Sequence, residues 1–361
     1  MKKYTRDQIA VLKLLSIETI GQRTRESILA LAEHPSEVID HPARFERELA
    51  ALGDGVFDKI ADVAESFDEE RFLRYMENLG MVAVFQGEDA YPGKLSVLDD
   101  APLVLFCRGE VSLLQTECFA IVGTRAPTRY GRDVTEMFSK DIAEAGFTIV
   151  SGLARGVDAI AHRMALESEA KTIAVLGCGV DKVYPAENKD LYDRIAEHGL
   201  LLSEFFPGAE PLAFHFPLRN RVISALSQGV LVTEAGAKSG TLITVTDALE
   251  QGKDVFIVPG NIFSNASKGA NEMLHNPQCM IATDPSDVLS YYGKKTEKEA
   301  PEAHQLTTEE VLIYSALQDE EKHFEQLLEL TGLSMGELMA TLTKLEVLGV
   351  IKKYPGNYYG I

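Results

Sequence analysis

Several apolar segments of this sequence are followed by glycine, hydroxyl and arginine residues, which are residue types that bind phosphate groups. Glycine lets the backbone come close to a ligand, Ser and Thr donate hydrogen bonds, and arginine presents paired planar donors. In chain order these residues are Gly123, Thr124 and Arg125 after 119–122, Ser151, Gly152 and Arg155 after 147–150, Gly177 after 172–176, Ser239, Gly240 and Thr241 after 230–233, and Gly260 after 255–258. Glycines that only make tight turns are the alternative, but repetition at five segment ends favours a phosphate-binding rim.

The common nucleotide-binding motifs do not match this rim. The stretch Gly177-Cys-Gly-Val-Asp-Lys182 begins like GxGxxG but lacks the third glycine, so it is a weak dinucleotide signal. The stretch Gly236-Ala-Lys-Ser-Gly-Thr241 has the residues of a P-loop in the wrong order. Hydrolysis of ATP by a Walker-type fold is therefore unsupported.

The stretch 214–221 places aromatic rings beside cations. Phe214 and Phe216 are followed by Arg219, Asn220 and Arg221. Aromatic rings stack on unpaired bases while arginines hold phosphates, a combination suited to single-stranded nucleic acid. A buried phenylalanine pair with surface arginines explains the same residues, and this stretch alone leaves both explanations open.

Three titratable residues near the rim are candidates for chemistry. Asp158 and His162 are spaced i, i+4, which places them on one face of a predicted helix. They can form an acid–base pair or a structural hydrogen bond that orients the preceding loop. The structural role is favoured because no nucleophile with a base is evident nearby. Glu234, at a strand end, is open to the same two explanations.

A parallel sheet is the arrangement that would bring these segment ends together. The predicted strands are 82–85, 103–107, 119–122, 147–150, 172–176, 200–203, 230–233, 255–258 and 280–282, with helices at 135–145, 157–167, 189–197 and 242–251. Strands that are apolar on both faces and alternate with helices are typical of a doubly wound α/β sheet. The carboxyl ends of its strands share the edge where ligands bind. We predict this fold for residues 76–292.

Residues 1–75 have the apolar periodicity of short amphipathic helices. Gly21 and Gly55 stand where two helices of a helix-hairpin-helix unit would begin, and glycine there lets helix amides approach a phosphate. A small helical packing domain is the favoured alternative.

The C-terminal part has a different pattern. Residues 293–305 are charged and contain proline, which indicates a linker. Within 306–361, predicted helices at 307–318, 323–331 and 334–348 are followed by a hairpin at 349–361. Three helices and a terminal hairpin indicate a winged helix.

Composition limits the classes of function. With 45% hydrophobic and 25% charged residues, the 361-residue chain has the composition of a globular protein. It contains no apolar run of about 18 residues and no recognisable signal peptide, so we expect no membrane segment. Its four cysteines form no CxxC pair, which favours a reduced, cytoplasmic protein without a zinc site. A net charge of −20 disfavours a broad basic face for duplex DNA.

One protein family contains these motifs in the same order. They are Tyr91-Pro-Gly-Lys-Leu95, Val122-Gly-Thr-Arg125, 150–158 with His162, 172–177, Tyr184-Pro185, Leu202-Ser-Glu204, Phe216-Pro217 with Arg219-Asn-Arg221, Glu234 with Ser239-Gly-Thr241, and Pro259-Gly260 with Gly269 and Asn271. Through them the chain resembles the DprA/Smf family of DNA-processing proteins of bacterial natural transformation. The motifs cover about 90–275, and the flanking regions match the three-part arrangement of many members, with a SAM- or helix-hairpin-helix-like N-terminal domain.

The resemblance implies a Rossmann-like core that binds single-stranded DNA, protects it and helps to load the recombinase RecA. It also implies dimerisation through that core. From the residues themselves we expect a cytoplasmic protein with no catalytic residue, cofactor or metal. The DNA-binding residues that the resemblance implies are Gly123, Thr124, Arg125, Ser151, Gly152, Arg155, Phe216, Arg219, Asn220, Lys238, Ser239, Gly240 and Thr241. Arg125 would hold a phosphate, Arg155 and Arg219 would extend a cationic track, and Phe216 would meet a base.

The chain departs from the family pattern at two places. Some relatives have a lysine where this chain has Ala213, so a phosphate contact is lost or is supplied by Lys238. Residues 303–361 contain nine acidic and four basic residues, and the predicted recognition helix 334–348 has one cation, Lys344. A major-groove reader needs several cations. We therefore expect this unit to contact protein or to bind DNA very weakly.

Two other classes of function compete with this interpretation. Rossmann-like nucleotide phosphoribohydrolases also combine a Gly- and Thr-bearing loop with a strand-end glutamate, as Glu234 and Gly240-Thr241 do here. Alternatively, the terminal regions make the protein mainly an interaction scaffold.

Overall fold

The computed structural model describes residues 2–295, 307–318, 320–348 and 350–360. The chain forms two compact units, Met1–Glu297 and Lys298–Ile361, and each has its own apolar core. The first unit contains both the helical region predicted at 1–75 and the sheet predicted at 76–292. Among the described residues, no helix has the length and apolar character needed to cross a bilayer.

Short helices precede the sheet, form an apolar cluster of their own and contribute some residues to the core of the sheet. They are α1 (Arg6–Leu15), α2 (Gln22–Leu29), α3 (Pro35–Ile39), α4 (Glu46–Ala51), α5 (Val56–Ser66) and α6 (Glu69–Asn78). Thr5 and Gln8 form a capping box that starts α1. Leu12 of α1 belongs to one apolar cluster with Phe106 and Leu201 of the sheet. Helix α6 crosses residue 75, and the predicted domain boundary there stays a prediction. The resemblance of this region to a SAM or helix-hairpin-helix domain stays a prediction.

A nine-stranded sheet forms the centre of the first unit. Its strands are β1 (Met81–Phe85), β2 (Val104–Gly109), β3 (Cys118–Val122), β4 (Thr148–Ser151), β5 (Thr172–Val175), β6 (Leu200–Ser203), β7 (Gly229–Val232), β8 (Asp254–Ile257) and β9 (Cys279–Ile281). The order across the sheet is β1-β2-β6-β5-β4-β3-β7-β8-β9. Each predicted strand is present, within two residues of its predicted ends.

Across the sheet, the seven strands β6-β5-β4-β3-β7-β8-β9 are parallel to one another. Strand β1 pairs antiparallel with β2, and β2 pairs antiparallel with β6. A parallel neighbour needs a long crossover, usually a helix. The segment between β1 and β2 contains only a short 3₁₀ turn at Gly93–Val97, so the chain reverses there instead of crossing over. The sheet is therefore mixed at this edge.

Helices cover both faces of the parallel strands. They are α7 (Arg129–Glu144), α8 (Val157–Glu167), α9 (Lys189–His198), α10 (His215–Leu226), α11 (Thr241–Glu250), α12 (Lys268–Met273) and α13 (Pro285–Tyr291). On β3, Val122 packs in the cluster that contains Ile223 of α10 and Val245 of α11, whereas Ile121 packs with Phe138 of α7. Adjacent residues of a strand point to opposite faces, so both faces are buried and the doubly wound Rossmann-like fold is confirmed.

The second unit contains α14 (Thr308–Leu317), β10 (Lys322–His323), α15 (Phe324–Thr331), α16 (Met335–Val347), β11 (Lys352–Tyr354) and β12 (Tyr358–Gly360). The strands pair in the order β10-β12-β11, so a short third strand joins the predicted hairpin. Ile313, Leu327 and Leu342 lie in its core. Residues 296–305 of the predicted linker lie outside the described residues. Lys294, at its start, forms an ion pair with Glu117 of the first unit at 2.8 Å.

Candidate functional site

The boundary between β3 and β7 is where the connections of the sheet diverge. The helix after β3 leads to β4 on one side, and the helix after β7 leads to β8 on the other. Ligands of doubly wound sheets bind at such a point. A cleft of about 750 Å³ opens here, and we call it the rim cleft. Its lining includes most of the predicted residues: Gly123, Thr124, Arg125, Phe216, Arg219, Asn220, Lys238, Ser239, Gly240 and Thr241.

Hydrogen bonds join the loops of the rim cleft to one another. The amide of Thr124 donates to the carbonyl of Glu234 at 2.8 Å, and the amide of Val157 donates to the carbonyl of Thr124 at 3.2 Å. The hydroxyl of Thr241 donates to the carbonyl of Gly123 at 2.9 Å. Thr241 is buried, so its hydroxyl shapes the rim. Loops that are distant in sequence thus form one continuous edge.

Two cations of the rim cleft are available to an anion. Arg125 and Lys238 are both exposed, and within the described residues neither forms an ion pair. The guanidinium carbon of Arg125 lies 5.5 Å from the centroid of the Phe216 ring, within range of a cation–π contact. Its donors remain free for charge-assisted hydrogen bonds.

The aromatic wall of the cleft includes a residue that the sequence reasoning did not assign. The rings of Phe216 and Tyr184 have centroids 5.4 Å apart, and Tyr184 is 40% exposed. A Cβ at Gly177 would lie 2.8 Å from the Phe216 ring, so glycine is needed there for the ring to be seated. Tyr184 occurs in a motif of the family resemblance, and its aromatic ring after a glycine-rich strand end is the signal that could have identified it.

Arg155 and Gly152 line a smaller cavity of about 40 Å³ beside the cleft, which Arg125 and Phe216 also line. The guanidinium of Arg155 is exposed but is paired with the carboxylate of Glu187, with one nitrogen–oxygen distance of 2.7 Å. An exposed ion pair of this kind is weak, and a phosphate can replace the carboxylate. Arg155 is therefore at the margin of the site.

Arg219 requires a correction, because it is not part of a surface cationic track. The residue is only 4% exposed. Its guanidinium donates to the carbonyl of Gly152 at 2.7 Å and to the carbonyl of Val175, and its Nε donates to the side chain of Asn220 at 3.2 Å. Burial lowers its pKa to about 10, which leaves it charged at neutral pH. Arg219 thus joins two strand ends and adds positive charge beneath the cleft.

Ser151 also requires a correction. Its side chain is fully buried, and its hydroxyl donates to the carbonyl of Ile121 at 2.6 Å. It lines neither the rim cleft nor the smaller cavity. The reason is that Ser151 is the last residue of β4 and its hydroxyl is used in a hydrogen bond to the neighbouring strand β3.

Asp158 and His162 have the structural role that the sequence analysis favoured. The carboxylate of Asp158 accepts hydrogen bonds from the amides of Gly152 and Ala154, at 3.1 and 3.3 Å. His162 is fully buried, and its Nε2 accepts from the amide of Leu153 at 3.3 Å. Burial lowers the pKa of His162 to about 3, so the ring is neutral at physiological pH. Both side chains hold the loop after β4.

Glu234 is part of the same framework. Only 1% of the residue is exposed, and its two carboxylate oxygens accept hydrogen bonds from the amide and the hydroxyl of Thr128, both at 2.7 Å. The carboxylate therefore holds the start of α7. Among the described residues, no group of three or more metal-ligating side chains is placed to hold a metal ion.

Comparison with known proteins identifies the family. The model of the family described as DNA recombination-mediator protein A matches residues 82–293, and a DprA winged helix domain matches residues 297–357. The chain belongs to the DNA recombination-mediator family. Its general role is therefore that of a DNA recombination mediator, and the second unit is a DprA winged helix domain.

Relatives in this family come from several bacteria. The DNA processing protein DprA of Streptococcus pneumoniae is 44% identical over 205 residues, which cover 57% of this chain and 72% of the relative. Protein Smf of Escherichia coli is 36% identical over 299 residues, covering 80% of each chain. Protein Smf of Synechocystis is 33% identical over 352 residues, covering 86% of this chain and 88% of the relative.

Solved structures of family members have the same fold. The crystal structure of DprA from Streptococcus pneumoniae aligns with a TM-score of 0.66 at 33% identity, covering 80% of this chain and 98% of that one. DNA processing protein A of Helicobacter pylori, whose structure concerns its binding of single-stranded DNA, aligns with a TM-score of 0.54 at 33% identity. That alignment covers 59% of this chain and 95% of the other.

Proposed function

We propose that this recombination mediator binds single-stranded DNA in the rim cleft. The observation that carries the proposal is the guanidinium of Arg125, which is exposed beside the Phe216 ring and forms no ion pair with any residue that the structure describes. A phosphate and its neighbouring base need this combination of a cation and an aromatic face. Lys238, on the loop after β7, supplies a second exposed cation. It takes the place of the lysine that some relatives have where this chain has Ala213.

We divide the predicted residues into direct contacts and supporting residues by their position in the cleft and their hydrogen bonds. We propose that Gly123, Thr124, Arg125, Phe216, Asn220, Lys238, Ser239 and Gly240 contact the strand. We assign a supporting role to Ser151, Gly152, Arg219 and Thr241, whose hydrogen bonds hold the loops of the cleft. Arg155 joins the contact set only by exchanging Glu187 for a phosphate.

Charge favours an unpaired strand over a duplex. The protein has a net charge of −20, so a duplex, with its dense phosphates on two strands, is repelled by the acidic surface around a local cationic site. An unpaired strand exposes its base faces to an aromatic side chain, whereas duplex bases are stacked. The single-strand-binding relative from Helicobacter pylori supports the same choice.

We further propose that the bound strand is protected and passed to RecA during natural transformation. Membership in the recombination-mediator family supports this role. Because RecA acts on DNA inside the cell, the activity belongs in the cytoplasm. A test is RecA-dependent ATP hydrolysis on single-stranded DNA already coated by a single-strand-binding protein. The wild type should raise this rate and Arg125→Ala should not.

We propose that the protein is a homodimer, as the family resemblance implies. An exposed apolar pair in the loop after β8 supports self-association, since Ile262 is 81% and Phe263 is 90% exposed. Adjacent large apolar side chains with so much exposed surface are typical of contacts between proteins.

The binding proposal is tested by Arg125→Ala with a fluorescent oligonucleotide. Loss of a charge-assisted contact should weaken binding by about 1–3 kcal/mol, or roughly 5- to 150-fold in Kd. Arg163→Ala is the matched control, because Arg163 is exposed on α8 and does not line the cleft. Log affinity should also fall with log salt, with a slope of about −0.7 per phosphate contacted. Equal affinities for wild type and Arg125→Ala would refute the assignment.

A further inference from the structure

The exposed face of α16 lacks the chemistry of a DNA-reading helix, although it occupies that position in the winged helix. Its single cation, Lys344, pairs with Glu310 at 2.8 Å, and Glu310 is only 1% exposed. The ammonium group therefore neutralises a buried carboxylate of the same domain. A helix in the major groove needs free cations for phosphates and polar side chains for base edges.

Small side chains occupy the outward side of α16. Leu338 and Leu345 are buried in the core of the domain. With 3.6 residues per turn, the opposite side of the helix contains Gly336, Ala340 and Thr343, and all three are exposed. Together they form a narrow strip without charge along which another helix can approach closely.

Large apolar side chains border this strip. Met335 is 61% and Met339 is 58% exposed, and they are one turn apart on α16. Methionine is flexible and polarisable, so it adapts to varied apolar partners. We call the small strip with these two methionines the α16 face.

Acidic residues accompany this face on the same helix. Glu337 and Glu346 are both exposed on α16. These carboxylates repel the phosphates of DNA and of anionic lipids, and they attract lysine or arginine. The complementary partner is apolar along one side and basic at its margins.

We propose that the α16 face is the docking site for a basic amphipathic helix of a partner protein. Its small residues allow two helices to approach to the usual distance of about 8–10 Å, its methionines cover the apolar stripe of the partner, and its acidic margin pairs with basic residues. This docking does not depend on single-strand binding in the rim cleft, because the domain has its own core.

The test uses the full chain and a fluorescein-labelled helical peptide with leucines at i, i+3, i+4 and i+7 and lysines elsewhere. The double variant Met335→Glu/Met339→Glu should weaken binding of this peptide by about tenfold or more. Ala340→Trp, which fills the strip without changing charge, should also weaken it. A twin peptide with glutamates in place of lysines should bind far more weakly to the wild type.

The matched control is Val311→Glu/Leu312→Glu. These residues are 46% and 44% exposed on α14, whose buried Ile313 faces the core that α16 also contacts. This variant should bind the peptide like the wild type, and circular dichroism should show that all variants are folded. Equal losses in both double variants, or no loss in either, would overturn the proposal. It would also be overturned if the Met335/Met339 variant abolished duplex DNA binding or self-association instead.

Discussion

At the scale of single residues, burial separates the side chains that we propose to bind DNA from those that support the cleft. Arg125 and Arg219 lie on the same cleft, but Arg125 is exposed while Arg219 is bound to backbone carbonyls beneath it. His162 is likewise internal and neutral, with Nδ1 2.6 Å from the hydroxyl of Thr172. Because the His162 ring accepts a hydrogen bond from the loop after β4, protonation of this ring should lower the stability of the site.

This connection predicts a pH dependence of stability that His162→Gln should reduce. The unfolded histidine binds a proton below a pH of about 6.5, whereas burial keeps the folded ring neutral down to a pH of about 3. Between these values the unfolded state binds more protons, so lowering the pH reduces the free energy of unfolding by about 1.4 kcal/mol per pH unit.

The measurement is urea denaturation at pH 6 and below for both proteins. Glutamine keeps an acceptor for the amide of Leu153 but does not titrate, so the variant should lose less stability on acidification. Identical pH slopes in the two proteins would contradict a neutral His162 in the folded state.

At the scale of elements, the rim depends on loops that come close enough to touch through their backbones. Gly156, which precedes α8, has a φ of +73°, and a Cβ there would lie 2.4 Å from the carbonyl oxygen of Thr124. Both the left-handed backbone and the close approach exclude other side chains. The same contact positions the loop that contains Arg125.

Gly156→Ala should therefore reduce both stability and DNA affinity. Backbone strain of this kind costs about 1–3 kcal/mol, and relief of the clash moves the Arg125 loop. Gly240→Ala is the comparison, because its φ is −61° and a Cβ there has no atom within 4 Å. The Gly240→Ala variant should have the same free energy of unfolding as the wild type, measured by chemical denaturation. If Gly156→Ala were as stable as Gly240→Ala, the close packing of these loops would be disproved.

At the scale of the whole molecule, charge and exposed apolar surface set the partners. With a net charge of −20, the proposed nucleic-acid binding needs a local site, and Arg125 and Lys238 have no acidic partner in the part of the chain that the structure describes. The apolar pair Ile262 and Phe263 is separate from the residues that line the rim cleft. Self-association through that pair and binding of DNA in the cleft should therefore be separable by mutation.

Ile262→Asp/Phe263→Asp should convert the proposed dimer to a monomer. Charged side chains at a buried apolar contact lose the solvation that they have in the free protein. Sedimentation velocity measures the change, and Val97→Asp serves as the control because Val97 is a 50% exposed apolar residue elsewhere on the first unit. A dimer that survives the double substitution would place the interface on another surface.

Local signals in the sequence determined the secondary-structure elements of this protein and the types of side chain at the carboxyl ends of its parallel strands. Apolar segments identified all nine strands of the sheet, and the glycine-, hydroxyl- and arginine-containing turns marked where they end. These features depend on neighbouring residues, so they can be recognised in the chain alone. The order of the family motifs likewise anticipated the membership that the comparisons establish.

Only the tertiary structure decided which of these side chains remain free. The phase of α10 turns Arg219 inward to the carbonyl of Gly152, Ser151 donates a hydrogen bond to the neighbouring strand, and Lys344 pairs with a buried carboxylate. The antiparallel pairing of β1 and β2 was also absent from local patterns. Each of these outcomes depends on a partner distant in sequence, and residue type alone does not reveal whether a charge will meet a carbonyl, a carboxylate or water.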